Sequence, residues 1–126
     1  MPDTRSILII DDDIFLLEMY ALKFSQSGYA VQAALGPEKA LEFLRSGNTP
    51  TVILLDIMMP GMNGFELLEV MNKEALAPHA KRVVLSNLGQ EGDIARANSL
   101  GVHGYIVKAN ATPGEVIEQV NKTITI

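Results

Sequence analysis

Four strand-like runs each end on a group that can do chemistry. Ser6-Ile7-Leu8-Ile9-Ile10 runs into Asp11-Asp12-Asp13, and Val52-Ile53-Leu54-Leu55 stops at Asp56. Arg82-Val83-Val84-Leu85 ends at Ser86, and Gly104-Tyr105-Ile106-Val107 ends at Lys108. Carboxylates brought together repel one another and resist ionising unless something neutralises them. A hard divalent cation does so. Mg²⁺ suits, because it takes one or two carboxylates, keeps waters and accepts phosphate oxygens; Mn²⁺ shares the preference for oxygen. Such an ion lets an anionic phosphoryl donor approach an anionic nucleophile. The Asp56 carboxylate would then attack phosphorus and form an aspartyl phosphate. The cation and Lys108 would offset charge on the phosphoryl oxygens, and Ser86 would donate a hydrogen bond to the bound group.

That chemistry requires the four runs to deliver their last residues to one edge. The apolar runs read as buried strands. Residues 14–27 read as a helix with Leu17, Ala21 and Phe24 inward, capped by Asp13 or Asp12 and stopped by Gly28. Residues 29–34 form a short second strand. Gly36-Pro37-Glu38 opens a helix with Pro in its first turn, and Ala40, Leu41 and Leu44 form its inner stripe. Pro60, Gly61, Asn63 and Gly64 break the chain after Asp56, and residues 64–74 form a helix carrying Phe65, Leu68 and Met71. The helix at residues 90–100 is weak, holding Gly92, several Ala and only Ile94 and Leu100 as large apolar side chains. Thr112-Pro113-Gly114-Glu115 has capping-box spacing, with Val116, Ile117 and Val120 facing inward. Strand and helix therefore alternate five times. Near-continuous apolar strands between helices mean a parallel sheet covered on both faces, an α/β doubly wound fold. Ligands of such sheets bind at the carboxyl ends of the strands.

The bulk composition narrows the function. The 126 residues read as a single domain, 1–126, without repeats or linker-like tracts, and 48% are hydrophobic. There is no Cys, so no disulfide framework or thiolate site is available, and a reducing cytoplasm fits. Residues 1–5 lack the basic start and long apolar run of a signal peptide. The longest apolar runs are strand-length, against the ~20 residues of a membrane helix, so no membrane insertion is expected. A net charge of −5 argues against direct nucleic-acid binding, which rests on phosphate contacts.

Taken singly, these residues have plainer readings. The Asp11-Asp12-Asp13 run could be a solvated helix start, Asp56 a turn residue, Ser86 a cap, Lys108 a surface lysine and Tyr105 a strand aromatic. His79 and His103 have no ligand-spaced partners and receive no role. Met58, Met59 and Met62 read as packing rather than a soft metal site. Only convergence at one edge reverses these readings. Rivals from other classes remain. Asp11-x-Asp13 after the first strand resembles the start of a haloacid dehalogenase-type motif, which would make a small aspartyl-phosphate hydrolase using Asp11. Phe15 departs from that motif. A flavodoxin-like cofactor binder would need a Gly- or hydroxyl-rich loop where three aspartates stand. A phosphorylation-independent interaction module on the same fold is the third.

The four motifs together resemble the receiver domain of two-component response regulators. The specific one is Leu54-Leu55-Asp56-Ile57-Met58-Met59-Pro60-Gly61-Met62-Asn63-Gly64. The resemblance spans essentially the whole chain. It implies a flavodoxin-like five-stranded parallel sheet of order 2-1-3-4-5 with five helices. It implies Asp56 as phosphoacceptor and metal ligand, Asp11 and Asp12 as metal carboxylates, and the Met58 main-chain carbonyl as a further metal oxygen. Asp13 is a secondary metal candidate. Ser86 becomes the switch hydroxyl, Lys108 the phosphate-contacting lysine and Tyr105 the rotating switch aromatic. The implied donor is the phosphohistidine of a sensor histidine kinase or phosphotransfer protein. The implied output is an effector bound by the face of the fourth helix, fifth strand and fifth helix, through which two phosphorylated copies could also pair. Activity is limited to Mg²⁺-dependent self-phosphorylation and self-dephosphorylation. The latter is expected to be slow, because Met58 and Leu88, flanking the water path, are apolar. The family lysine is usually followed by Pro, where this chain has Ala109. A cis bond before a non-proline costs about 3–4 kcal/mol, which predicts a trans Lys108–Ala109 bond or a remodelled loop up to Thr112.

Overall fold

A computed structural model describes residues 5–125; the readings made at residues 1–4 and at Ile126 lie outside them. The chain runs β1 (Ser6–Asp11), α1 (Ile14–Gln26), β2 (Ala30–Leu35), α2 (Pro37–Arg45), β3 (Val52–Leu55), α3 (Gly64–Lys73), β4 (Lys81–Ser86), α4 (Glu91–Ser99), β5 (Gly104–Val107), a 3-10 turn (Lys108–Asn110) and α5 (Pro113–Ile124). All strand pairs are parallel and the sheet order is 2-1-3-4-5, as expected.

Alternation along the strands splits the core between the two sheet faces. Leu8, Ile10, Ile53, Leu55 and Val84 face α2 and α3. Ile7, Ile9, Val52, Leu54, Val83 and Leu85 face α1 and α5. Burying one such side chain is worth about 1.5–3 kcal/mol, and a one-residue register slip would exchange the two faces. The register therefore holds all the strand ends, and the residues directly after them, at one edge.

Local signals set the helix ends. Asp13, not Asp12, caps α1: its Oδ1 accepts from the amides of Phe15 and Leu16 at 3.0 and 3.2 Å. Gly28 stops α1 at φ +92°, a conformation that disfavours residues with a Cβ. Thr112 and Glu115 form the expected reciprocal cap of α5, at 3.2 and 2.9 Å. Asn63 and Glu66 do the same for α3 at 2.9 and 3.0 Å.

Several details depart from the sequence reading. The inner face of α1 is Leu17, Tyr20 and Phe24, with Ala21 only half-buried. Tyr20, three residues after Leu17 and four before Phe24, lies on the same helical stripe and is the larger side chain that fills it, while Phe24 and Tyr29 meet edge to face. β2 starts and ends one residue later than read. Lys108 opens the 3-10 turn rather than closing β5. No cis peptide occurs among the described residues, so the Lys108–Ala109 bond is trans and the turn is the remodelled path. Of α4, only Ala97 is buried.

Candidate functional site

The ends of β1 and β3 set the floor of the site. Asp11 is the last residue of β1 and Asp56 directly follows β3; they are 4% and 5% exposed. The Asp56 amide donates to the Ile10 carbonyl at 3.0 Å, so the β1–β3 pairing itself positions it. Asp12 is exposed, and one carboxylate oxygen from each of Asp11, Asp12 and Asp56 lies within 4.8 Å of the others. Asp13 is spent on the α1 cap, which removes its carboxylate from this cluster.

Both buried carboxylates are held in the same way. A backbone amide two residues on donates to Oδ1: Asp13 to Asp11 at 3.0 Å, and Met58 to Asp56 at 3.1 Å. Lys108 Nζ donates to both Oδ2 atoms, at 2.9 Å to Asp11 and 3.0 Å to Asp56. The charges do not balance. Burial pushes the Asp11 carboxyl above its ordinary pKa against the pull of Lys108 and the Asp13 amide, and the neighbouring Asp56 charge adds to the push. Burial also disfavours the Lys108 ammonium, but its hydrogen bonds to Asp11 and Asp56 outweigh this and raise its pKa. One ammonium among three carboxylates leaves an oxygen-lined, anionic hollow, the donor chemistry of a hard divalent cation.

Gly64 closes the β3–α3 loop tightly. Its amide donates to the Ile57 carbonyl at 2.9 Å. A Cβ there would stand 2.5 Å from the Asp56 carbonyl oxygen and 2.8 Å from Ile57 Cα. Only glycine brings α3 this close behind the Asp56 backbone.

Ser86 ends β4, next to β3, and is fully buried. Its Oγ accepts from the Leu88 amide at 3.3 Å. Tyr105, half-buried on β5, donates its hydroxyl to the Leu88 carbonyl. The two side chains thus meet through the backbone of one residue. Burial, followed by the charges of Asp93 and Asp56, holds the Tyr105 hydroxyl above its ordinary pKa. Every residue read as part of the site is therefore at this edge or on the strand beside it.

Some neighbours were not foreseen. Tyr20 is buried within reach of the charges of Lys108 and Asp11; burial raises its pKa first, with Lys108 and Asp11 pulling in opposite directions. Its spacing from Leu17 and Phe24 was the available signal. Apolar side chains rim the mouth: Ile14, Phe15, Leu35 and Met58 are 42%, 80%, 47% and 55% exposed. The run Ile14-Phe15-Leu16-Leu17 carried that signal, because four consecutive helix positions cannot all face one core. Met58 departs from the packing role read for it, whereas Met59 is buried and Met62 packs against the core. Arg96 of α4 lies 4.4 Å over the Phe65 ring and 3.4 Å from Glu69. Met58, Met59, Pro60, Phe65, Leu88 and Arg96 line a hollow of about 470 Å³ beside the site.

His103, given no role from sequence, has a structural one. Its Nδ1 accepts from the Arg82 amide at 3.0 Å and its amide donates to the Arg82 carbonyl at 2.7 Å. Arg82 is itself buried, with its guanidinium on Asn72 Oδ1 and the Leu100 carbonyl. This group stands at the amino end of β4, away from the carboxylates.

Comparison with known proteins agrees with this geometry. Chemotaxis protein CheY of Thermotoga maritima is 32% identical over 119 residues, covering 94% of this chain and 96% of its own. Response regulator SaeR of Staphylococcus aureus is 29% identical over 119 residues, and the match spans 50% of its length. A receiver domain protein (CheY-like) from Methanospirillum hungatei superposes with a TM-score of 0.88 at 25% identity, covering 98% of this chain and 95% of that one. No helix among the described residues is long and apolar enough to cross a membrane. The model of the response regulator receiver domain matches residues 7–121, and with the sheet order and the acidic edge this makes the chain a member of the response regulator receiver domain family.

Proposed function

We propose that Asp56 accepts a phosphoryl group from a phosphohistidine of a sensor histidine kinase or phosphotransfer protein, and that residues 1–126 act as one receiver domain. The observation that carries this reading is the Lys108 ammonium shared between Asp11 and Asp56, with Asp12 close by. An Asp56 carboxylate oxygen attacks phosphorus. The P–N bond to the donor imidazole breaks, and its electron pair returns to the ring nitrogen. Asp11, Asp12, Asp56 and the Met58 carbonyl would hold Mg²⁺, which supplies charge neutralisation for the phosphoryl oxygens. Lys108 follows the new charge from the Asp56 carboxylate to a phosphoryl oxygen. Ser86, buried at the end of β4, donates its hydroxyl to another.

The apolar rim of Ile14, Phe15, Leu35 and Met58 suits a donor protein that must cover the mouth to deliver the group. Signal output runs through the Leu88 backbone. Ser86 turning toward the phosphoryl oxygens gives up its bond to the Leu88 amide, and Tyr105 holds the carbonyl of the same residue. The face of α4, β5 and α5 then presents a different surface to an effector, or to a second phosphorylated copy. α4, with one buried residue, resists this shift least. The chain acts in the cytoplasm, with no nucleic acid at this acidic edge. Turnover is confined to self-phosphorylation from small donors and slow loss of the group. Acetyl phosphate with Mg²⁺ tests the reading: one phosphoryl group adds to the protein, and a chelator prevents it. Addition that is indifferent to the chelator overturns it.

A further inference from the structure

We propose that the Met58 thioether is an oxidation site through which peroxides shorten the life of the phosphoryl group on Asp56. The inference rests on the reading of Asp56 given above. Among the described residues, exposure singles this methionine out. Met58 is 55% exposed, whereas Met59 is 6% and Met71 0% exposed, and Met19 and Met62 are half-buried. A thioether reacts with peroxide only where the oxidant can reach its lone pair.

Position gives the reaction a consequence. The Met58 amide donates to Asp56 Oδ1 at 3.1 Å, so its side chain is rooted at the acceptor carboxylate. It opens onto the hollow shared with Leu88, Phe65 and Arg96. The native wall of that hollow near Asp56 is apolar: Met58 and Leu88 offer no group that orients water. Oxidation transfers one oxygen from the peroxide to sulfur. The O–O bond breaks, sulfur loses two electrons, and the peroxide leaves as water or an alcohol. The product sulfoxide is a polar acceptor in place of a flexible apolar group. It can hold a water beside the phosphoryl group and accept from the Arg96 guanidinium across the hollow. Sulfoxide reductases reverse the change. The site would thus lose signal under oxidant without any cysteine.

The test uses the full chain and tert-butyl hydroperoxide. Peptide mass mapping should show Met58 gaining oxygen at least about tenfold faster than Met59 and Met71; equal rates overturn the proposal. Phosphoryl loss is then followed in treated and untreated wild type and in treated and untreated Met58→Leu. Treatment should speed loss about threefold in wild type, a sulfoxide reductase should restore the original rate, and treatment should leave the Met58→Leu rate as it was. An unchanged rate in treated wild type, or an equal acceleration in Met58→Leu, overturns it. Absence of an Asp56 adduct in untreated protein is a separate failure, that of the acceptor reading, and mapping needs no adduct.

Discussion

Lys108 Nζ lies 3.0 Å from the Asp56 carboxylate, 52 residues away in the chain. The same ammonium is 2.9 Å from Asp11. One cation from the end of β5 therefore ties the ends of β1 and β3, and all three side chains are nearly dry. A divalent ion held by Asp11 and Asp56 would share these two carboxylates with Lys108, which would link stability to metal binding.

Lys108→Ala leaves two buried carboxylates without their cation. Breaking a buried pair from one side costs about 3–5 kcal/mol, so the variant should lose about 3 kcal/mol in chelator. It should also bind Mg²⁺ more tightly than wild type, because the competitor is gone. Urea midpoints with and without Mg²⁺ check both effects: the variant gains more from the ion. A midpoint in chelator equal to that of wild type contradicts the account.

Gly64→Ala places a methyl 2.5 Å from the Asp56 carbonyl oxygen, a backbone atom that cannot swing aside. The loop must shift, at a cost of about 2–4 kcal/mol, and the shift falls on the residue beside it that is proposed to react. Lower thermal stability together with slower uptake of phosphate from acetyl phosphate is expected. The same change at Gly92, where nothing lies within 4 Å, is the control. Equal effects at the two glycines would refute the close approach.

How much of this could be read beforehand depended on the range of the interaction. Strands, helix caps and the residue types at the strand ends rest on periodicity and on residues a few positions apart, so they were legible directly. The sheet order that brings Asp11, Asp56, Ser86 and Lys108 together joins distant segments and came from the family resemblance. Arg82 and His103 were opaque. A charged residue at a strand start reads as exposed, and nothing local says that Asn72 and the Leu100 carbonyl wait above it. The Met-rich loop reads as packing and gives no sign that the Met58 thioether turns outward. The uninterrupted apolar run before Lys108 reads as a strand that includes it and gives no sign of the 3-10 turn that Lys108 opens.

His103 predicts a pH dependence. His103 is exposed on one side, and the partial desolvation of its ring against β4 first, then the charges of Lys81 and Arg82, hold its pKa below the ordinary imidazole value. The unfolded chain therefore takes a proton before the folded one does. The stability is fully present above the unfolded value of about 6.5 and is lost as pH falls through the lower folded value. Urea midpoints between about pH 7.5 and 5 should fall, and His103→Asn should flatten the curve. An equally steep curve in the variant places the titration elsewhere.

The apolar wall predicts a long-lived adduct. Met58→Asn with Leu88→Glu supplies a donor and an acceptor that can orient water, and phosphate should leave about tenfold faster. Following the decay after removal of acetyl phosphate checks this. An unchanged rate would mean that water already reaches the phosphorus freely.

The central claim is the identity of the acceptor. Wild type, Asp56→Asn and Asp11→Asn are each incubated with acetyl phosphate and Mg²⁺, and intact mass and peptide mapping locate any adduct. One phosphoryl group on Asp56 in wild type, and none on Asp56→Asn, is the predicted result. An adduct that survives in Asp56→Asn and maps to Asp11 would contradict it and make the protein a hydrolase of the aspartyl-phosphate type.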